Sequence, residues 1–303
     1  MTGLERSGGG VTGLERSGGA GASAPPHRRR RRWSAETVVV TTVLWLYAAI
    51  CIVPLLTMIL NSFRTHLDIA TEPWPIPTDP TVANYVSAWT EASFWRYALN
   101  SIVITVGSVA ISTAVSLPAA YAIARWRFFG RNALEGLFMS GLLIPFMLAI
   151  LPMFYLMDRL RLIDSPLSLI LIYSANGIPF TVFVLVSFFR QLPRELEEAA
   201  FLDGGGHFTV FLRVMVPLVR PAIATVVVFR FVPIWNDFLM PLVMLRSRDN
   251  YTLGVGLTTF FGEYQNDWAS LFAGLVITTL PLLVLFILAT RQIIQGLTAG
   301  IGK

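Results

Sequence analysis

The chain has 303 residues, 54% of them apolar and 14% charged, and its mean hydropathy is +0.64. A soluble domain carries about 25% charged residues, so an ordinary water-soluble enzyme is excluded and an all-α polytopic membrane protein is indicated. The net charge of +5 comes from arginines at the ends of apolar runs and from Lys303, a pattern of membrane orientation rather than of a nucleic-acid-binding face.

Residues 1–34 read as a disordered basic tail. TGLERSGG occurs at Thr2–Gly9 and again at Thr12–Gly19, and a Gly, Ala, Ser and Pro tract leads to Arg28–Arg32. Such a segment lacks the apolar content to build a core. The repeat, with units opening at Met1 and Val11, is consistent with a true start at the second copy. The first apolar run, 38–60, is too long for a signal-peptide core and lacks a small-x-small cleavage site, so it is expected to be an uncleaved span. Cys51 lies within it and, as the single cysteine, leaves no disulfide framework inside the chain.

Five more runs reach the length of about 20 residues needed to cross a bilayer: roughly 98–124, 133–157, 167–189, 222–245 and 269–289. Prolines 54, 118, 145, 152, 179, 233, 241 and 281 fall inside them and read either as kinks shaping a cavity or as tolerated bends, since neighbouring helices can re-satisfy freed carbonyls. Placing the N-terminus inside puts 16 of the cationic residues on inner segments and 6 on outer ones, which predicts cytoplasmic termini. Without the seven arginines of the tail the imbalance is small. Residues 291–303 then form a cytoplasmic C-terminal tail. In the outer loops, Trp74, Trp89, Trp95, Tyr251, Tyr264 and Trp268 read as an interfacial aromatic belt, or else as a surface touching an external partner.

Between the fourth and fifth runs lies the most informative segment, Gln191 to Pro217. Pro193 suits a first helical turn, and Glu195, Glu197 and Glu198 sit where the macrodipole favours acids. Leu196, Ala199 and Ala200 are spaced to share a packing face, and Gly204–Gly206 end the helix. Phe208, Phe211, Leu212 and Met215 form the face of a second short helix, which Pro217 ends, and Pro221 opens the fifth span. Helix, glycine turn and helix, too polar for lipid, predict a docking knob for another protein.

This run resembles the EAA loop of ATP-binding cassette (ABC) importer permeases. Glu198-Ala199-Ala200 is followed after three residues by Gly204, then after nine by Val214-Met215-Val216-Pro217, and Asp203-Gly204 is the family's frequent pair. Val214 and Val216 replace the family's Ile and Leu. Trp235-Asn236-Asp237-Phe238 and the ending Gly296-Leu297-Thr298-Ala299-Gly300 are similar to the carbohydrate branch, in particular to the second, six-span subunit of the maltose-type permease pair. The resemblance covers about residues 35–303. It implies a type I importer permease fold with six transmembrane helices, and a type-1 transmembrane domain over about residues 95–290 with its docking loop at 191–220. It implies a sugar importer in a cell membrane, working with a second permease subunit, an ABC ATPase dimer and an extracellular sugar-binding protein. The coupling residues would be Glu198, Ala199, Ala200, Asp203, Gly204, Phe208, Phe211 and Pro217.

The chain itself is read as non-catalytic and without a cofactor. It contains no Gly-x-x-x-x-Gly-Lys-Ser/Thr phosphate loop, so ATP and Mg²⁺ are assigned to a partner ATPase. The partners expected are these proteins and membrane lipid, with no nucleic acid. His27, His66 and His207 have no metal-ligand spacing and no nucleophile–base set is apparent. Arg230 and Asp237, seven residues apart and within the fifth run, are candidates for a translocation path, together with Trp235 and Asn236. They also fit a stand-alone ion-coupled transporter, since intramembrane charges are functional candidates, or a structural ion pair. A non-sugar solute is the other alternative. Tyr121, Tyr173 and Asn176 are further candidates for sugar contact, or else ordinary packing.

Overall fold

A computed structural model describes residues 35–72, 76, 77, 79–261 and 267–299, without the side chains of 35 and 290–299. The expectations for residues 1–34, Trp74, Tyr264 and residues 300–303 lie outside the described residues. The chain divides into two compact units, Met1–Cys51 and Ile52–Lys303. Helix α1 (Ala35–Ser62) has Pro54 inside it and exposes Trp45 and Tyr47 by 72% and 68%. A helix this apolar on all sides needs lipid or other chains around it.

Short helices α2 (His66–Thr71) and α3 (Ala83–Val86) follow. Thr65 and Asp68 form a reciprocal capping box at the start of α2. Arg64 is buried and donates to Asn61 Oδ1 at 3.0 Å and to the Asp68 carbonyl at 2.7 Å, and it also reaches the Glu72 carbonyl. This segment, expected as a plain loop, is therefore a folded cap.

Helices α4 (Phe94–Arg125) and α7 (Pro166–Gln191) are the packed spine. A stripe of Ser101, Thr105, Ser108, Ser112 and Ser116, all buried, runs along α4 at helical spacing. Small side chains let two backbones approach without bulky packing, and Ser174 Oγ donates across to the Ser108 carbonyl at 3.3 Å. Pro118 and Pro179 lie inside these helices, which continue through them.

The third run is not one straight helix. Helices α5 (Arg131–Leu143) and α6 (Ile150–Arg159) meet at an 89° bend around Ile144–Pro145. Proline disfavours the helical conformation in the residue before it, and Ile144 is extended. The fifth run is also interrupted. After the docking helices α8 (Glu195–Leu202), α9 (His207–Val210) and α10 (Val216–Leu218), helix α11 (Arg220–Trp235) stops ten residues short of the expected end. A separate helix, α12 (Leu239–Met244), resumes the path. Helices α13 (Leu253–Gly256) and α14 (Trp268–Ala299) complete the described chain. Four helices are long and apolar enough to span a membrane, or six if each bent pair counts as one. No strand occurs among the described residues.

Near the Arg125 end of the spine, Tyr121, Ile123, Leu185 and Phe189 pack around Val210, Met215 and Val219 of the docking segment. Toward the other end, Ile104, Ile172, Met240 and Met244 pack together, and Asp164 ties this end shut. Its carboxylate accepts from the Arg246 and Ser247 amides at 2.9 and 3.0 Å, from Ser247 Oγ at 2.6 Å and from Asn250 Nδ2 at 3.2 Å. Desolvation raises the pKa of this carboxyl, but the hydrogen bonds from Ser247, Arg246 and Asn250 outweigh it and hold it at about 2. Tyr251 packs its ring on Tyr97 with centroids 6.1 Å apart.

Candidate functional site

The docking segment is anchored by a group that sequence spacing did not single out. Arg125, the last residue of α4, reaches α8 with Nε 3.1 Å from Glu197 Oε1, the side chains being 4% and 13% exposed. The two atoms lack the alignment of a hydrogen bond, so the contact is an ion pair. Arg125 Nη2 also donates to the Leu192 carbonyl at 2.8 Å. Of the three acids in the first turn of α8, Glu197 turns inward and Glu198 is exposed. The face expected from Leu196, Ala199 and Ala200 is correspondingly rotated. Leu196 and Ala199 are exposed, and Ala200 alone of the three packs on the core. Burial of the Arg125 guanidinium explains the rotation, because a buried charge needs a charged partner.

The turn after α8 follows the Schellman pattern. Gly204 has φ +84°, its amide donates to the Phe201 carbonyl at 3.0 Å, and the Gly205 amide donates to the Ala200 carbonyl at 3.0 Å. Gly205 is required for a different reason: a Cβ there would lie 2.7 Å from the Ala200 carbonyl oxygen. Asp203 is the exposed C-cap. The second docking helix also departs from the expected face. Residues 211–215 form a π turn, which slips the register. Val210 and Met215 are buried and Phe211 packs against Tyr121 at 5.0 Å between centroids, whereas Phe208 is 75% exposed. Pro217 is half-buried in α10, beyond which the chain turns by 69° into α11. The exposed surface of the segment therefore presents Glu198, Ala199 and Asp203, and its most exposed large apolar side chains are Leu202 (89%) and Phe208.

The second site is a cavity of about 420 Å³ at the break between α11 and α12, lined by Tyr173, Asn176, Arg230, Asn236 and Asp237 with Phe146 on an apolar wall. Asp237 lies beyond the end of α11, so it and Arg230 do not share a helix face as spacing suggested, yet both reach the cavity. Asp237 Oδ1 accepts from the Leu239 and Met240 amides at 3.0 and 3.3 Å, and Oδ2 accepts from Tyr173 Oη at 2.8 Å. Arg230 Nη2 donates to the Tyr173 carbonyl at 3.3 Å. Trp235 does not line the cavity. It is buried, stacks on Phe231 and donates from Nε1 to the Thr278 carbonyl at 3.0 Å. Tyr121 belongs to the docking end.

Residues 115–298 match the family described as binding-protein-dependent transport system inner membrane component. The chain is 35% identical over 257 residues to the diacetylchitobiose uptake system permease protein NgcG of Streptomyces coelicolor, covering 84% of this chain and 85% of that protein. It is 37% identical over 257 residues to the arabinooligosaccharides transport system permease protein AraQ of Halalkalibacterium halodurans, covering 84% and 91%. A chain of a bacterial ABC transporter involved in the import of the acidic polysaccharide alginate shares the fold, with a TM-score of 0.76 at 22% identity over 88% of this chain and 99% of that one. With its family region spanning more than half of its length, the chain belongs to the inner membrane permease components of binding-protein-dependent ABC transport systems.

Proposed function

We propose that this chain is one of two permease subunits of an ATP-driven sugar importer and that residues 191–220 dock a separate ATPase. The observation that carries the reading is the two-sided build of that segment. Its inner side is locked to the spine by Arg125, Val210 and Met215, and its outer side leaves Glu198, Leu202 and Phe208 bare. Bare apolar side chains beside a carboxylate, on a rigidly held knob, are what a protein partner buries. The sugar uptake systems named for its relatives support the substrate class.

In this reading ATP and Mg²⁺ bind on the ATPase dimer, and an external binding protein delivers the sugar. Both termini and the docking segment face the cytoplasm, as the arginine distribution favours. Closure of the ATPases moves the two docking segments together, and the permease pair switches between inward- and outward-facing states as rigid bodies. The knob transmits this motion because Arg125 and the buried core residues tie it to α4 and α7.

The test is co-purification of the ATPase with the membrane complex, together with sugar uptake, for Glu198→Ala, Glu198→Lys and Gly204→Asp. Docking is expected to fall in all three, and further in Glu198→Lys than in Glu198→Ala, because lysine adds repulsion to the loss of a charge pair worth about 2–5 kcal/mol when truncated from one side. Wild-type docking and uptake in Glu198→Lys and Gly204→Asp would refute the reading.

A further inference from the structure

Arg230 is a membrane arginine whose charge the described protein does not answer. Intramembrane arginines are costly, so they are retained where they pair or act. Its Nε is buried without a hydrogen-bond partner among the described residues. Its Nη2 meets only a neutral carbonyl, that of Tyr173. The three ion pairs among the described residues lie elsewhere. Space for the guanidinium is provided by Gly177 on α7, where a Cβ would fall 3.0 Å from Arg230 Nε.

The carboxylate in the same cavity is already committed. Both Asp237 oxygens accept hydrogen bonds, one from two backbone amides that open α12 and the other from Tyr173 Oη. The cavity thus has free donors on its cation while its anion is satisfied. It favours a ligand rich in acceptors, and an ionised acceptor above all, because charge-assisted pairs with a planar guanidinium are the strong ones. At about 420 Å³ it falls within the roughly 300–1,000 Å³ usual for small-molecule sites. Its wall includes Phe146 and Phe238, aromatic surfaces against which an apolar ring face can pack. Arg230 lies ten residues from the start of α11, about 15 Å along the helix axis from the docking end, which puts the cavity within the depth of the spans.

Resting on the importer reading, we propose that this cavity is a saccharide subsite in which Arg230 selects a sugar ring carrying a carboxylate or sulfonate. Arg230 supplies the charge, Tyr173 and Asp237 hold the break between α11 and α12 open at a set geometry, and the aromatic wall takes the ring face.

The experiment measures equilibrium binding of two probes to the purified membrane complex without its binding protein: a disaccharide ending in glucuronic acid and its neutral glucose counterpart. The wild type is expected to bind the acid about tenfold more tightly. Arg230→Gln should abolish that ratio while leaving the neutral probe within about twofold, and Arg230→Lys should keep part of it. Equal affinities in the wild type, no binding of either probe, or equal weakening of both probes by Arg230→Gln would overturn the proposal. If Arg230→Gln does not assemble, the wild-type ratio alone decides. Failure of the importer reading would instead appear as unchanged ATPase docking and uptake in Glu198→Lys and Gly204→Asp, which this measurement does not depend on.

Discussion

Replacing Arg125 with glutamine removes the cation that holds α8 against the end of α4. The Glu197 carboxylate, whose side chain is 13% exposed, then stays desolvated, and the Leu192 carbonyl loses its 2.8 Å donor. Breaking a buried pair from one side costs about 3–5 kcal/mol, and the residual exposure of Glu197 places this case near about 3 kcal/mol. The core under α9 and α10 does not depend on Arg125, so the loss falls on α8 as local opening rather than on insertion of the spans. At about 1.4 kcal/mol per decade, the α8 amides should exchange hydrogen on the order of 100-fold faster in Arg125→Gln. Glu197→Gln should cost less, because Arg125 keeps its hydrogen bond to the Leu192 carbonyl and a glutamine amide oxygen at 197 can still accept from the guanidinium. The control is Glu198→Gln: this exposed residue should leave α8 exchange unchanged while weakening ATPase docking. Hydrogen exchange of the purified permease complex stripped of its ATPase, read over residues 195–202, provides the measurement. Unchanged exchange in Arg125→Gln, or equal effects from Glu197→Gln and Glu198→Gln, would refute the assignment of Glu197 as the anchor.

Asp164→Asn should destabilise the far end of the spine. Because the folded pKa of Asp164, about 2, lies below the ordinary carboxylate value of about 3.9, its contribution is full above about pH 4 and is lost as pH falls toward 2. The melting-temperature gap between wild type and variant should therefore close over that window, and a gap constant from pH 5 to 2 would contradict the hydrogen-bond account. Gly205→Ala should loosen the docking turn more than Gly206→Ala, since its Cβ meets a backbone oxygen at 2.7 Å whereas the Cβ at 206 meets nothing within 4 Å; exchange rates at residues 200–210 compare the two. Asp237→Asn is expected to keep the assembled complex but alter uptake. Asp237→Ala, which removes the acceptor opening α12, should also lower thermal stability, by about 1–2 kcal/mol. Normal uptake in Asp237→Asn with only the protein level changed would make the residue structural.

Much was legible in the sequence because it depends on local spacing. A run of about 20 apolar residues needs no partner to declare itself, and Glu198, Ala199, Ala200 and Gly204 at fixed offsets place a helix and its glycine stop without knowledge of the fold. The structure decided what spacing leaves open. Helical periodicity identified Leu196, Ala199 and Ala200 as a face, but the helix rotated to bring Glu197 to Arg125, a residue about 70 positions earlier whose burial no local pattern reveals. The stripe of serines and threonine on α4 was visible at three- and four-residue spacing, but its meaning as a close-approach surface came only with α7 laid against it. Likewise, Arg230 and Asp237 sit two turns apart on paper, and the polar pair Asn236-Asp237 did not by itself show that the helix ends at Trp235. They converge on one cavity because Asp237 caps a new helix instead of continuing the old one. Local propensity sets where helices form, while the pairing of buried charges and the closeness of backbones are settled only when distant segments meet.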